Sequence, residues 1–297
     1  MPYRTKMIAP PPEAAALVHT FYTIDTAAGR IEEAIPAYSA QLIVMVRGTV
    51  HFTFDDGSTG TSASVFFNAP QMRSARAVLE GPVLQIGASL THIAWQRLAN
   101  LPADAVHDRL LPAEAVLTQE QIAALEAAAD NCRAGRITPE DVCAVLADVI
   151  GQGPHALRPD HVAAVEAIGR WLASGFDPAL DDLYAGLPAS PRQIQRICRR
   201  FFGVSPAQVA KRFRALRAAM LLSQPGLSRE AYDQLMATYF DQAHLIRDIR
   251  RYTGRTPSQF GRETLADELL DPAGHGDAGS PLKPAADEGE RGAIGRL

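Results

Sequence analysis

One stretch of this chain is written twice. Residues 194–208 and 245–259 align at an offset of 51 positions. At that offset Arg196 meets Arg247, Arg199 meets Arg250 and Arg200 meets Arg251. Gly203 meets Gly254, Pro206 meets Pro257 and Gln208 meets Gln259, with Ile194 over Leu245 and Phe201 over Tyr252. Each copy has the pattern of an arginine-rich amphipathic helix, closed by a glycine suited to a left-handed C-cap and restarted by Ser205-Pro206 or Thr256-Pro257. A fold that accommodates both copies presents two equivalent helices, each preceded by a shorter one.

Charge follows the same division. The 297-residue chain has a net charge of −4. Residues 158–263, which hold the repeat, carry sixteen basic and ten acidic side chains, against ten and sixteen in residues 1–157. A phosphate backbone attracts the first set and repels the second. With 47% hydrophobic residues the chain can build substantial cores, and its length suits two domains.

Residues 38–90 read as β structure, in short apolar runs such as Leu42–Val46, Val50–Phe54, Val65–Phe67 and Val83–Ile86, separated by turn residues. From about residue 91 the apolar period becomes helical. Helices are expected over 92–100, 118–134 and 139–150, with Thr118 and Thr138 as N-caps. Residues 151–159, rich in glycine and proline, read as a linker. Beyond it helices are expected at about 160–173, 179–187, 190–202, 206–223, 229–238, 241–253 and 257–269. The final residues, 270–297, are acidic and rich in Gly, Pro and Ala, and are expected to be disordered.

A helix-turn-helix needs a support helix, a tight turn and a second helix whose outer face enters the major groove. In the first copy Ile194, Ile197 or Cys198, and Phe201 make the inward stripe, leaving Arg192, Gln195, Arg196 and Arg199 on the surface. In the second, Leu245, Ile249 and Tyr252 point inward, leaving Gln242, His244, Arg247 and Arg251. Arginine pairs bidentately with guanine and glutamine with adenine. Lys211, in the connecting helix, is a phosphate candidate.

Residues from about 160 to 263 resemble the AraC/XylS-type DNA-binding domain. The resemblance is carried by Ser190 through Arg196, Phe202 through Pro206, Arg214, Ala218, Tyr239 through Arg247 and Gly254 through Pro257. It implies a transcription regulator whose two recognition helices occupy successive major-groove turns of double-stranded DNA. By motif position, base contacts fall to Arg192, Gln195 and Arg196, and to Gln242, Ala243, His244 and Arg247, Arg247 being equally suited to a phosphate or a salt bridge. The chain departs from the pattern at Tyr184, Pro188-Ala189, Cys198, Gln234 and Thr238, which bears on the tightness of the turns.

The first half resembles the cupin-like N-terminal domains of this class. The implied fold is α+β: a β-rich cupin-like barrel with helices over 1–150, a linker over 151–159, and an all-α domain over 160–269 of two helix-turn-helix units joined by a long helix. The N-terminal part is expected to sense a small-molecule effector or, alternatively, only to mediate protein–protein contacts. RNA polymerase and a second copy of the chain are candidate partners. Met45, Phe52, Phe54, Phe66, Phe67 and Trp95 read as β core rather than pocket lining. His51 stands alone on its strand with no glutamate in register, so no metal and no cofactor are expected. No nucleophile elbow, phosphate loop, dinucleotide fingerprint or zinc-protease motif occurs, and no enzymatic activity is expected. Cys132, Cys143 and Cys198 form no framework, no signal peptide is visible, and no apolar run approaches the ~20 residues of a membrane span. These point to a cytoplasmic protein without membrane contact.

Overall fold

The strand expected at residues 42–46 has no polar face. Its side chains alternate between two cores: Leu42, Val44 and Val46 pack in one, Ile43 and Met45 in the other. Val65 and Phe67 join the first core and Phe66 the second. Such period-two sorting requires a sheet covered on both faces.

The computed structural model describes residues 3–27, 29–223, 226–261, 265, 269 and 270. Strands β1 (Tyr3–Ile8), β2 (Val18–Thr26), β3 (Gly29–Ile35), β4 (Gln41–Thr53), β5 (Thr59–Thr61), β6 (Val65–Asn68), β7 (Ala75–Leu90) and β8 (Leu110–Pro112) form one antiparallel sheet. Its order is β1-β2-β7-β4-β6-β8, with β3 also on β7 and β5 also on β4. The long strands β7 and β4 are the spine. Register shifts between Met45 and Thr49 bend it. At Gly87 a Cβ would lie 2.3 Å from the Tyr22 ring, so only glycine admits that ring. The β region therefore begins at Tyr3, well before residue 38, and the fold class is α+β as expected.

One face of the sheet is covered by α1 (His92–Leu98), α3 (Gln119–Arg133) and α4 (Pro139–Gly151), with α2 (Ala103–Val106) beside them. Thr118 and Thr138 cap α3 and α4 through reciprocal capping boxes. Residues 154–158 have no regular structure, and His155 N–H donates to the Arg97 carbonyl (3.1 Å).

The C-terminal half is helical: α5 (Pro159–Ala173), α6 (Leu180–Ala185), α7 (Pro191–Phe202), α8 (Pro206–Ser223), α9 (Arg229–Ala237) and α10 (Gln242–Thr253). The start of the expected helix over 257–269 is corrected: Pro257–Gln259 is a single 3-10 turn, ended by Phe260 in extended backbone, while Leu265 further on is helical. Beyond Gly261 only Leu265, Leu269 and Leu270 are described, so the tail expected to be disordered lies outside the described residues, Leu270 aside. No helix among the described residues is long and apolar enough to cross a membrane.

Two buried arginines hold α8 in place. Arg217, with no solvent exposure, donates to the carbonyls of Leu172, Gly175 and Phe176 and so satisfies groups left open where α5 ends. Arg212 donates to the Gln71 carbonyl (3.0 Å) of the segment after β6. The ends of α7 and α10 also rest on the sheet half. Gln96 Nε2 donates to the Arg200 carbonyl (3.1 Å), Arg200 Nη2 to Asn100 Oδ1 (2.6 Å), and Ala37 N–H to the Tyr252 carbonyl (2.8 Å).

Cys143 and Cys198 are buried, and burial pushes both thiols up to about 12. We therefore expect them to resist alkylation in the native protein at pH 7.5 and to react only on unfolding, as thiol counting with and without denaturant would read.

Candidate nucleic-acid interface

In the first unit, α6 is followed by the turn Gly186–Ser190 and then by α7. Ser190 caps α7: its hydroxyl accepts from Gln193 N–H (3.3 Å), and Gln193 Oε1 accepts from Ser190 N–H (3.0 Å). Pro191 occupies the first helical position. Gly203 ends the helix at φ +84°, and a Cβ there would lie 2.7 Å from Met72 Cε. Ile194, Ile197, Cys198, Phe201 and Phe202 are buried, so both alternatives for the middle of the inward stripe are inside. Arg192, Arg196 and Arg199 are exposed. Gln195 is half-buried, with Nε2 at 3.5 Å from the Tyr184 hydroxyl.

The second unit repeats the plan. Asp241 caps α10, its carboxylate accepting from His244 N–H (2.6 Å), and Gly254 ends it at φ +74°. Thr238, one of the departures from the family pattern, is in the right-handed region and donates from Oγ1 to the Leu235 carbonyl (2.8 Å), so the turn needs no left-handed residue. Gln242, Ala243, Arg247, Arg250 and Arg251 are exposed, and His244 is half-buried.

Spacing sharpens the set. Arg192, Arg196 and Arg199 stand at i, i+4 and i+7 on α7; the offset of 51 carries them onto Ala243, Arg247 and Arg250 of α10. Residues so spaced share one helix face. Arg250, absent from the sequence expectation, is on that stripe. Arg251 corresponds instead to Arg200, which is held by Asn100, and the Arg251 carbonyl accepts from Ser74 N–H (3.2 Å). The repeat register already contained this distinction.

Phe240 was also missed. It is 93% exposed and stands just before the N-cap Asp241. An apolar residue there commonly folds back on the fourth helical residue. Here Tyr239 is buried instead, beside Leu245 in the same core, and Phe240 stays outside.

A buried carboxylate joins α10 to the connecting helix. Asp248, 3% exposed, lies 3.0 Å from Lys211 Nζ, 3.5 Å from Arg214 Nη2 and 3.2 Å from His244 Nε2. Arg214 also reaches Asp177 (2.8 Å), before α6, and its guanidinium lies over the Tyr239 ring. Lys211, 38% exposed, is thus paired with Asp248. Arg247 makes no ion pair among the described residues.

The outer face of α7 opens into a cleft of about 1120 Å³, whose far wall includes Asn100, Pro102 and Asp104. Among the described residues Asp104 is the one carboxylate lining it, against Arg158, Arg192, Arg196, Arg199 and Arg200. The cleft is therefore strongly positive, the field that draws a phosphate backbone. On the sheet, His51 is not isolated: Glu80 of β7 lies 3.4 Å from its Nε2, a glutamate near its strand that the sequence did not reveal. Among the described residues no group of three or more His, Cys, Asp or Glu is arranged to hold a metal ion.

Residues 184–263 match the model of a family described as a helix-turn-helix domain. No curated relative matches the chain. Among solved structures, ToxT from Vibrio cholerae aligns at 11% identity and a TM-score of 0.44, over 91% of this chain and 98% of that one. ToxT from Vibrio cholerae O395, bound to (E)-4-(8-methylnaphthalen-1-yl)but-3-enoic acid, gives 11%, 0.45, 91% and 100%. The AraC-like transcriptional activator CuxR gives 15%, 0.31, 80% and 87%. The matched span of residues 184–263 takes in α7, the connecting helix α8, α9 and α10, and the C-terminal part of this chain is a helix-turn-helix domain.

Proposed function

We propose that this chain is a sequence-specific transcription regulator that reads double-stranded DNA with α7 and α10, and that its β-rich half responds to a small molecule. The observation that carries the first part is the pair of matched exposed stripes, Arg192-Arg196-Arg199 and Ala243-Arg247-Arg250. The connecting helix α8, 18 residues long, spans about 27 Å, comparable with the ~34 Å between successive major-groove turns. In this reading residues 1–150 and 160–269 are separate functional parts joined through 151–159. Gln195, Gln242 and His244 flank the stripes as further base readers, and Arg251 serves the backbone.

The test is selection of a duplex from a randomised library by the full chain, followed by salt-titrated binding. No preference over random duplex would sink the proposal. On the selected duplex, Arg196→Ala is expected to lose about 1–3 kcal/mol of discrimination at one base pair. Arg250→Ala is expected to weaken all sequences alike and to lower the salt slope by about one. Equal losses on every sequence for both variants would remove Arg196 from the base readers.

Phe240 projects beside Gln242 and Ala243 at the leading end of α10, where an aromatic ring meets a thymine methyl. Replacing thymines one at a time by deoxyuridine should weaken the wild type at one position and leave Phe240→Ala indifferent there. Identical deoxyuridine profiles would exclude that contact.

The alternative, a β-rich half that only mediates protein contacts, is favoured by one observation: the cavity within the sheet measures about 40 Å³. A ligand-library thermal shift on the full chain separates the two, since a tight binder raises stability by mass action.

A further inference from the structure

The cavity on the inner face of the sheet is small because the chain fills it. Leu269, 7% exposed, lines it together with Tyr22, Gln41, Phe52, Asn68 and Gln85. Its backbone carbonyl accepts from the Tyr38 hydroxyl, and its N–H donates to the carbonyl of Leu265 (3.0 Å), itself fully buried in the same core. The next residue, Leu270, is 1% exposed and packs in a different core, with Ala218 and Leu221 of α8 and Leu245 and Ile249 of α10. Adjacent side chains thus plug the sheet and underpin the second reading unit.

The chemistry of the cavity selects its guest. Among the described residues no charged side chain lines it, which disfavours an ion. Tyr22 donates to Gln41 Oε1 (2.7 Å), so that pair is satisfied. Asn68 Oδ1 and Gln85 Oε1 are buried without a partner among the described residues, and both residues line the cavity. Buried acceptors left open cost desolvation with nothing in return. At about 40 Å³ the space holds a few water molecules at most. Anything larger has to take the place of Leu269.

We propose that this cavity is an effector site for a compact, uncharged, largely apolar molecule bearing a hydroxyl or amine donor, and that its occupant and Leu269 exclude one another. Neighbouring Cα atoms are only ~3.8 Å apart, so withdrawing Leu269 pulls Leu270 from beneath α8 and α10. Occupancy of the sheet then weakens reading by the second unit, and by reciprocity bound DNA disfavours the effector. The site deepens the regulator proposal above and rests on it only for the DNA readout.

The test uses the full chain and benzyl alcohol as probe, with toluene as the comparator lacking a donor. Leu269→Ala is expected to bind benzyl alcohol at least tenfold more tightly than the wild type or the volume-conserving Leu269→Met. Leu270→Ala should show no such gain. Equal probe affinity in wild type and Leu269→Ala, or binding by neither, overturns the site, and tighter binding of toluene overturns the donor requirement. In the wild type, saturating probe should speed hydrogen exchange at the Leu269 amide and weaken the selected duplex several-fold. Slowed or unchanged exchange there overturns mutual exclusion even if the alanine variant is poorly folded. Failure to select any duplex would count against the regulator reading alone, because the probe arm decides the cavity without DNA.

Discussion

Replacing Asp248 by alanine is expected to destabilise the second helix-turn-helix unit by roughly 3–5 kcal/mol, the range for removing one partner of a buried ion pair. The carboxylate is almost fully buried, and Arg214, whose side chain is 14% exposed, faces it from the connecting helix. Removing the carboxylate leaves the guanidinium facing the space it occupied. Two features pull the loss toward the lower end. Asp177 still neutralises part of Arg214, and Lys211, at 38% exposure, can turn into water. Denaturant titration would measure the effect, and the selected duplex would show a preferential loss of contacts from the second unit. A double variant, Asp248→Leu with Arg214→Leu, should recover much of the stability, because an apolar pair removes the two most buried charges together and leaves only the more exposed Asp177 and Lys211 to water. A loss below about 1 kcal/mol for Asp248→Ala, within the range of exposed pairs, would mean that the cluster does not fix α10 on α8.

Helices α7 and α10 were legible because their signals are local. Ser190-Pro191, Gly203, Asp241 and Gly254 act within one turn of the helix ends they set, and an inward stripe is written in the residues themselves. The strands between Gln41 and Leu90 were legible through short apolar runs. Strands β1 to β3 were not, since Lys6, Arg30, Glu32 and Glu33 interrupt their pattern, and their pairing partners lie in β7 and in one another. Asp248 shows the limit most clearly. It aligns with Ile197 in the first copy, which is also buried; what admits a charge at one and not the other is Lys211 and Arg214, more than thirty residues upstream. The cavity escaped for a related reason. Of the six apolar residues considered as pocket lining only Phe52 touches it, and its polar wall comes from separate strands whose register no periodicity reveals. The contact of His51 with Glu80 likewise depends on how β4 registers against β7.

Acid is expected to weaken the seam between the sheet half and helices α7 and α8 through His92. Its ring lies 4.0 Å from that of Phe202 at the end of α7, and the side chain is 6% exposed. Burial holds its pKa well below the ordinary value, reinforced by the positive charge of Arg212 from α8 and by His19 of β2; a hydrogen bond to the Phe201 backbone opposes them without prevailing. The sign follows from proton counting. An unfolded histidine titrates near pH 6.5, whereas the folded one stays neutral to lower pH, so below about 6.5 the unfolded chain binds a proton that the native chain does not. The stability associated with neutral His92 is complete above that pH. It falls as pH drops toward the lowered native value, by up to about 1.4 kcal/mol per unit. His161 is also lowered, mainly by burial, so the total slope is not diagnostic. The difference between wild type and His92→Phe is, because the variant retains an aromatic ring against Phe202 and cannot titrate. Between pH 6.5 and 5.5 the wild type should lose about 1 kcal/mol more than the variant in urea titrations. Parallel stability–pH curves would show that the buried imidazole takes up its proton without strain, and that the seam is insensitive to acid at this residue.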